Sequence, residues 1–326
     1  MNTTVADLLN QHPTNVVQNT GYVTQSDKSW TRNYHPIRNM LVHTLIGEDG
    51  LTYANFERAF LPWDADDGLR TTAHAVSPNH RTWRFESEAD CELWFHSEIS
   101  NIVLPAWNQF PVVTQTSHTK PPRVDNISEE VDAVYSVRFG GGRTVLAIGE
   151  MKRNLVDARL WQRGNISSNA GQKKLSQELR GYADKYQCPQ VFCFDGETLL
   201  VLQFRANKVQ DILEENCPVD CWVLPRESSN TPLRFALYML LAQGFRRFQG
   251  MCAAAVPLTV GGLTPRLRQF FNGRPVWRVN GANLVEHPGG YQRSVDPDSG
   301  AVKWTHDEDP DAVWETLALW DVDAAQ

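Results

Sequence analysis

Residues Thr144 to Lys152 read TVLAIGEMK, a nearly continuous apolar run that ends abruptly in two opposite charges. Such a run predicts a strand buried on both faces. A sheet holding it needs cover on each side, and helices are the usual cover. Before it, VDAVYSVRF (Val131 to Phe139) alternates with the two-residue period of a strand. Gly140-Gly141-Gly142 lies between the two segments, so they read as a hairpin joined across the glycines.

Helical patterns flank this pair. Ser87 can cap a helix whose first turn carries Glu88 and Asp90, where the helix dipole favours carboxylates. Along CELWFHSEISNIVLPAW, residues Phe95, Ile99, Ile102, Val103 and Ala106 fall on one face at ~100° per residue. Glu92 falls near the centre of that face and Glu98 about a quarter turn from it, so Glu92 is the costlier carboxylate to place. Gln172 to Tyr186 repeats the helical spacing with Leu175, Leu179 and Tyr182 aligned. QVFCF and TLLVLQF, split by Asp195-Gly196-Glu197, predict a second hairpin. CWVL predicts a further strand, and TPLRFALYMLLAQGFRRF a buried helix.

The expected class is α/β in the broad sense, α+β with a mixed β-sheet covered by helices. Residues 1–50 read as an N-terminal arm, polar and unpatterned to about residue 38. Residues 51–250 form the core domain, opening with a short helix at LTYANFERAF. Residues 251–326 form an acidic, turn-rich C-terminal extension packed on the core, with one helix at DPDAVWETLALW.

Three charged residues carry the chemistry. Glu150 and Lys152, two apart on a strand, point to one face, and the hairpin brings Asp132 beside them. Two carboxylates at neighbouring strand ends offer the oxygen ligands that Mg²⁺ or Mn²⁺ prefers. A lysine beside them can hold a water or stabilise charge on a phosphate. This is equipment for metal-assisted phosphodiester hydrolysis. The competing reading of Glu150/Lys152 is a structural ion pair, and that of Asp132 a turn residue at strand entry.

In these motifs, over about residues 86 to 248, the chain resembles the PD-(D/E)xK nuclease superfamily, and more closely its fungal nuclease-like branch. The matching stretches are SEADCELWFHSEISNIVLPAW, EEVDAVYSV, TVLAIGEMKR, GQKKLSQELRGYADKY and VFCFDGETLLVLQF. The resemblance implies a restriction-endonuclease-like core, built in the order helix, three strands, helix, strand. It implies that Asp132 and Glu150 are metal carboxylates and that Lys152 is the catalytic lysine. Glu92 resembles the helix acid placed near the metal, with Glu98 as its alternative, and Gln172 matches the polar residue of the later helix. Val131 stands where the family name has Pro. The implied function is a metal-dependent nuclease acting on DNA or RNA. The alternative is an inactive nuclease-like module that binds nucleic acid or a protein.

The 31 Lys+Arg and 38 Asp+Glu give a net charge of −7, which argues against a uniformly basic coat. The charge is divided, however. Residues 138 to 185 hold ten basic and four acidic residues, and residues 286 to 326 hold two and ten. Arg153, Arg159, Arg163, Lys173, Lys174 and Arg180 are the expected contacts to a nucleic-acid backbone. Apolar content of 41% excludes a disordered chain. No secretory signal or membrane-spanning run is visible, so the expected location is intracellular, cytoplasmic or nuclear, with no membrane partner. The six cysteines are then expected to be reduced.

Overall fold

A computed structural model describes residues 3–26, 28–108, 111–121, 130–253 and 257–319. Its centre is a seven-stranded mixed sheet. In chain order the strands are β1 (Met40–Val42), β2 (Val113–Thr119), β3 (Val131–Phe139), β4 (Gly142–Met151), β5 (Gln190–Phe194), β6 (Thr198–Phe204) and β7 (Val219–Pro225). Their order across the sheet is β1-β7-β6-β5-β4-β3-β2. Two pairs are parallel, β4 with β5 and β1 with β7, and the others are antiparallel.

The β3–β4 hairpin turns as its glycines predict. Gly140 and Gly141 have φ of +54° and +75°, the left-handed conformation that a tight hairpin turn demands. Phe139 then pairs with Gly142, and Ala133 with Gly149. From the end of β4 the chain crosses over through helix α2 (Ala170–Lys185) into parallel β5. Asn169 caps α2 by accepting from the Gly171 and Gln172 amides.

Two apolar clusters lie against the two faces of the sheet. One holds Leu175, Leu179 and Tyr182 of α2 with Val134, Ile148 and Val191 of the strands. The other holds helix α1 (Glu88–Phe95), its continuation to Trp107, and helix α3 (Leu233–Ala253), packed on Tyr135, Ala147, Phe192 and Val201. Gly244 permits a close approach there, since a Cβ would stand 2.3 Å from the Leu146 carbonyl oxygen. Helices thus cover both faces. No helix among the described residues is long and apolar enough to cross a membrane.

Several local expectations are corrected. The N-terminal fifty residues are not a loose arm. Val5, Leu8 and Leu9 are buried in the α1/α3 cluster, Val17–Asn19 pairs with Trp83–Phe85, and Met40–Val42 is an edge strand of the main sheet. The expected helix at LTYANFERAF is instead a strand, Thr52–Ala54, paired with Thr44–Ile46. The expected C-terminal helix begins as strand Asp309–Trp314 on Val302–His306, and its last residue lies outside the described ones. In the last two cases a partner strand satisfies the backbone and overrides local helical spacing. The extension does meet the core: Gln249 donates to Gly300 O at 3.5 Å, and the Val295 amide to Asp64 Oδ2 at 3.2 Å.

Candidate active site

At the end of β4, Glu150 is buried and receives two ammonium groups on one oxygen. Lys152 Nζ lies 2.6 Å from Glu150 Oε1, and Lys28 Nζ lies 3.0 Å from it. Both lysines also face Glu178 Oε1, at 3.0 Å from Lys28 and 3.4 Å from Lys152. Lys28 donates further to the Tyr182 hydroxyl, and Ser26 donates to Glu178. The result is a compact quartet of two carboxylates and two ammoniums. Glu150 Oε2 is buried without any partner among the described residues.

Asp132, the second residue of β3, stands next to this quartet. Its Oδ2 accepts from the Met151 amide at 2.6 Å, which ties the two strand ends together. Its Oδ1 lies 3.6 Å from His118 Nδ1. His118 Nε2 in turn lies 3.2 Å from Glu92 Oε2, and His96 Nε2 is 3.4 Å from Glu92 Oε1. His118 thus bridges the helix acid to the strand acid, from a left-handed backbone conformation with φ +47°. That backbone costs a non-glycine residue free energy, so surrounding structure must hold it.

Burial sets the electrostatics. It pushes the Glu150 carboxyl up to about 8, with the Asp132 and Glu178 charges adding to the push and Lys152 opposing it. Burial also raises Asp132, against the Met151 amide and Lys152. For Glu178 burial is the largest influence, but Lys152, Lys28 and Ser26 outweigh it and hold the acid below its ordinary value. Burial works against the charge of Lys152, yet Glu150 and Glu178 more than offset it and raise the ammonium's pKa. Lys152 is therefore a firmly protonated donor.

Of the expected site residues, Asp132, Glu150 and Lys152 come together, and Glu92 is linked to Asp132 through His118. Gln172 does not join them. Its Oε1 accepts from Trp161 Nε1 at 2.7 Å and from the Asp157 amide, and its Nε2 donates to Leu155 O, so it clamps the loop entering α2. Glu178 is the α2 residue that reaches Glu150. It lies three residues after Leu175 and four before Tyr182, so it sits inside the buried stripe, and a carboxylate within an apolar stripe was the available signal. Glu98 is the more buried helix acid, held by Asn15 Nδ2 at 2.7 Å and Trp83 Nε1 at 3.0 Å. The turn His96–Ser100 is π-helical and shifts the phase of the wheel that placed it off-centre.

Two expected backbone contacts are also corrected. Arg153 is fully buried and donates to Asn19 Oδ1 at 2.8 Å. Arg180 is fully buried and donates to the carbonyls of Ile212 and Glu214. Arg159, Arg163, Lys173 and Lys174 are exposed. Lys173 and Lys174 line a cavity of about 370 Å³ together with Lys28 and Arg32. Lys28 therefore touches both this basic cavity and the acidic quartet.

The donor set can be tested against a divalent cation. Asp132 and Glu150 offer hard oxygen ligands, and Glu150 Oε2 lacks a partner. Burial keeps the Glu150 carboxyl protonated up to about pH 8, so a cation held there would displace that proton and pair with Glu150 as a carboxylate. These features fit Mg²⁺ or Mn²⁺ held by Asp132 and Glu150, with Glu92 on the histidine side. Among the described residues no three His, Cys, Asp or Glu side chains form a ready ligand cluster. Comparisons with protein-family models, curated proteins and solved structures give no match.

Proposed function

We propose that the chain is a divalent-metal-dependent nuclease that hydrolyses phosphodiester bonds of DNA or RNA. The observation that carries this reading is the meeting of Asp132, Glu150 and Lys152 at adjacent strand ends, with an orphaned carboxylate oxygen on Glu150. The element order supports a restriction-endonuclease-like core: α1, three antiparallel strands, α2, then β5 parallel to β4.

In this reading Asp132 and Glu150 hold Mg²⁺ or Mn²⁺, and Glu92 lies beside them. A bound cation at that place supplies Lewis acidity toward a phosphoryl oxygen and a more acidic water. Lys152 stays protonated, so it orients the attacking water as a donor and stabilises charge on the phosphate rather than taking a proton. Glu178 fixes the Lys152 ammonium from the helix side. Arg159, Arg163, Lys173 and Lys174 supply the exposed positive charge that a phosphate backbone requires.

One observation favours the alternative, an inactive module on the same architecture that binds nucleic acid or a protein. Lys28 and Lys152 together already satisfy Glu150 Oε1. Incubation of the full chain with DNA and with RNA, in Mg²⁺ or Mn²⁺, separates the two. Cleavage abolished by EDTA and lost in Lys152→Ala is the expected result. Cleavage that persists in Lys152→Ala overturns the assignment of that residue, and metal-saturated protein that cuts neither substrate favours the inactive module.

A further inference from the structure

The opposite end of β4 carries the reverse charge. Arg247 of α3 is fully buried. Its guanidinium donates to Gln190 Oε1 at 2.9 Å and to the Val145 carbonyl, and it approaches Met251 Sδ at 3.6 Å and Cys188 Sγ at 3.8 Å. All four acceptors are neutral, and two are sulfur atoms, which accept weakly. The neighbouring Arg246, in contrast, has Asp66 and Asp67 oxygens 2.6 and 2.7 Å from its Nη2. A buried cation without an anion carries a desolvation cost that neutral acceptors offset only in part.

Arg247 lines a cavity of about 290 Å³ whose wall also includes Arg143, Lys185, Val145, Met251 and Phe270. No Asp or Glu among the described residues lines it. Arg143 is held by neutral groups as well, the hydroxyls of Ser136 and Thr116, each at 2.9 Å. Lys185 rests its ammonium 3.7 Å from the Trp30 ring centre. Phe270 lies 5.4 Å from the Arg247 guanidinium carbon and offers an aromatic wall. The volume lies at the small end of the range of ligand pockets, roughly 300–1,000 Å³.

We propose that this cavity binds a small organic anion, a phosphate or carboxylate group carried on a flat apolar body. The anionic group meets Arg247 and Arg143, and the body lies against Val145, Met251 and Phe270. The site is separate from the carboxylate quartet: Val145 and Glu150 are five residues apart on one strand, roughly 16 Å at ~3.3 Å per residue. The proposal holds whether or not the chain is a nuclease.

Calorimetric titration of the full chain with phenyl phosphate, with benzoate and with neutral benzyl alcohol tests it. At least one anion should bind with unit stoichiometry and at least tenfold more tightly than the alcohol, and the two anions tell a phosphoryl from a carboxylate ligand. Arg143→Gln should weaken binding fivefold or more, and Met251→Trp, which fills the cavity from its exposed side, should abolish it. The double variant Lys173→Gln, Lys174→Gln should leave the affinity unchanged, which separates this cavity from the basic one beside α2. Arg247→Met should remove binding if it folds, and the other variants decide the matter if it does not. Equal affinity for anion and alcohol, or anion binding that Arg143→Gln and Met251→Trp leave intact, overturns the proposal.

Discussion

Two carboxyl groups and two ammoniums crowd the Glu150 end of β4 with Asp132 beside them, while at the Val145 end the buried Arg247 guanidinium has only neutral acceptors. In water each imbalance would cost little, because a high dielectric and salt screen it. Glu150, Glu178, Lys152 and Arg247 are buried, so their charges depend on the protein groups that face them. The sign of the leftover charge then indicates what each end can take: a cation at Glu150, an anion at Arg247. An apolar strand and its flanking clusters keep the two ends from neutralising each other.

The largest expected effect lies at the acidic end. Lys152→Ala should lower the cleavage rate by on the order of 10²–10³, the usual cost of removing one preorganised donor at a developing negative charge. Single-turnover cleavage of plasmid DNA and of a structured RNA measures it. A drop under tenfold would mean that Lys28 or bound metal supplies that charge instead.

Stability sharpens the contrast. Glu178→Gln leaves two ammoniums against Glu150 alone and should cost about 3 kcal/mol. Arg247→Met exchanges a guanidinium with neutral partners for an apolar side chain of similar reach, and should cost about 1 kcal/mol or less. Urea unfolding compares them directly. If Arg247→Met is the more damaging, the cationic end is a structural hub and the comparison breaks.

A carboxylate with matched partners gives the baseline. Burial resists ionisation of Glu315, yet Arg293 and Arg268 outweigh it and hold the acid below its ordinary value. Arg293 Nε is 2.8 Å and Trp304 Nε1 2.7 Å from Glu315 Oε2. A depressed folded pKa means that the native state binds fewer protons than the unfolded one, so this stability is present above the unfolded pKa and is lost as pH falls through the folded value. Glu315→Gln should cost about 2 kcal/mol at neutral pH and flatten the acid limb below pH ~4.5. An acid limb of unchanged slope would show that Glu315 takes no part in it.

How much of this the sequence carries depends on whether a feature is local. The β3–β4 hairpin is legible because alternation, glycines and the final charges all lie within 22 residues, and Asp132, Glu150 and Lys152 come with it. Glu178 lies in the α2 stripe between Leu175 and Tyr182, whereas the polar atoms of Gln172, which the resemblance points to, are spent on the Trp161 loop. Charge alone points to Arg153 and Arg180 as surface contacts but says nothing of their burial. The N-terminal residues were hardest, because Met40–Val42 becomes a strand only through Val219–Pro225, about 180 residues later in the chain.

Lys28 gives the most discriminating test. It comes from a segment that showed no sequence signal, yet it pairs with Glu150 and Glu178, and its side chain is 37% exposed. A partly solvated ammonium on Glu150 Oε1 competes with any cation for that oxygen. Lys28→Ala should therefore raise Mn²⁺ affinity about tenfold, or ~1.4 kcal/mol, by calorimetric titration. Lys152→Ala lowers the same competition but also removes the proposed donor, so only Lys28→Ala should tighten metal without losing the chemistry. If Mn²⁺ binding is unchanged or weaker in Lys28→Ala, the excess negative charge at this end of β4 is already neutral in the folded chain, and the contrast with the Arg247 end is one of geometry rather than charge.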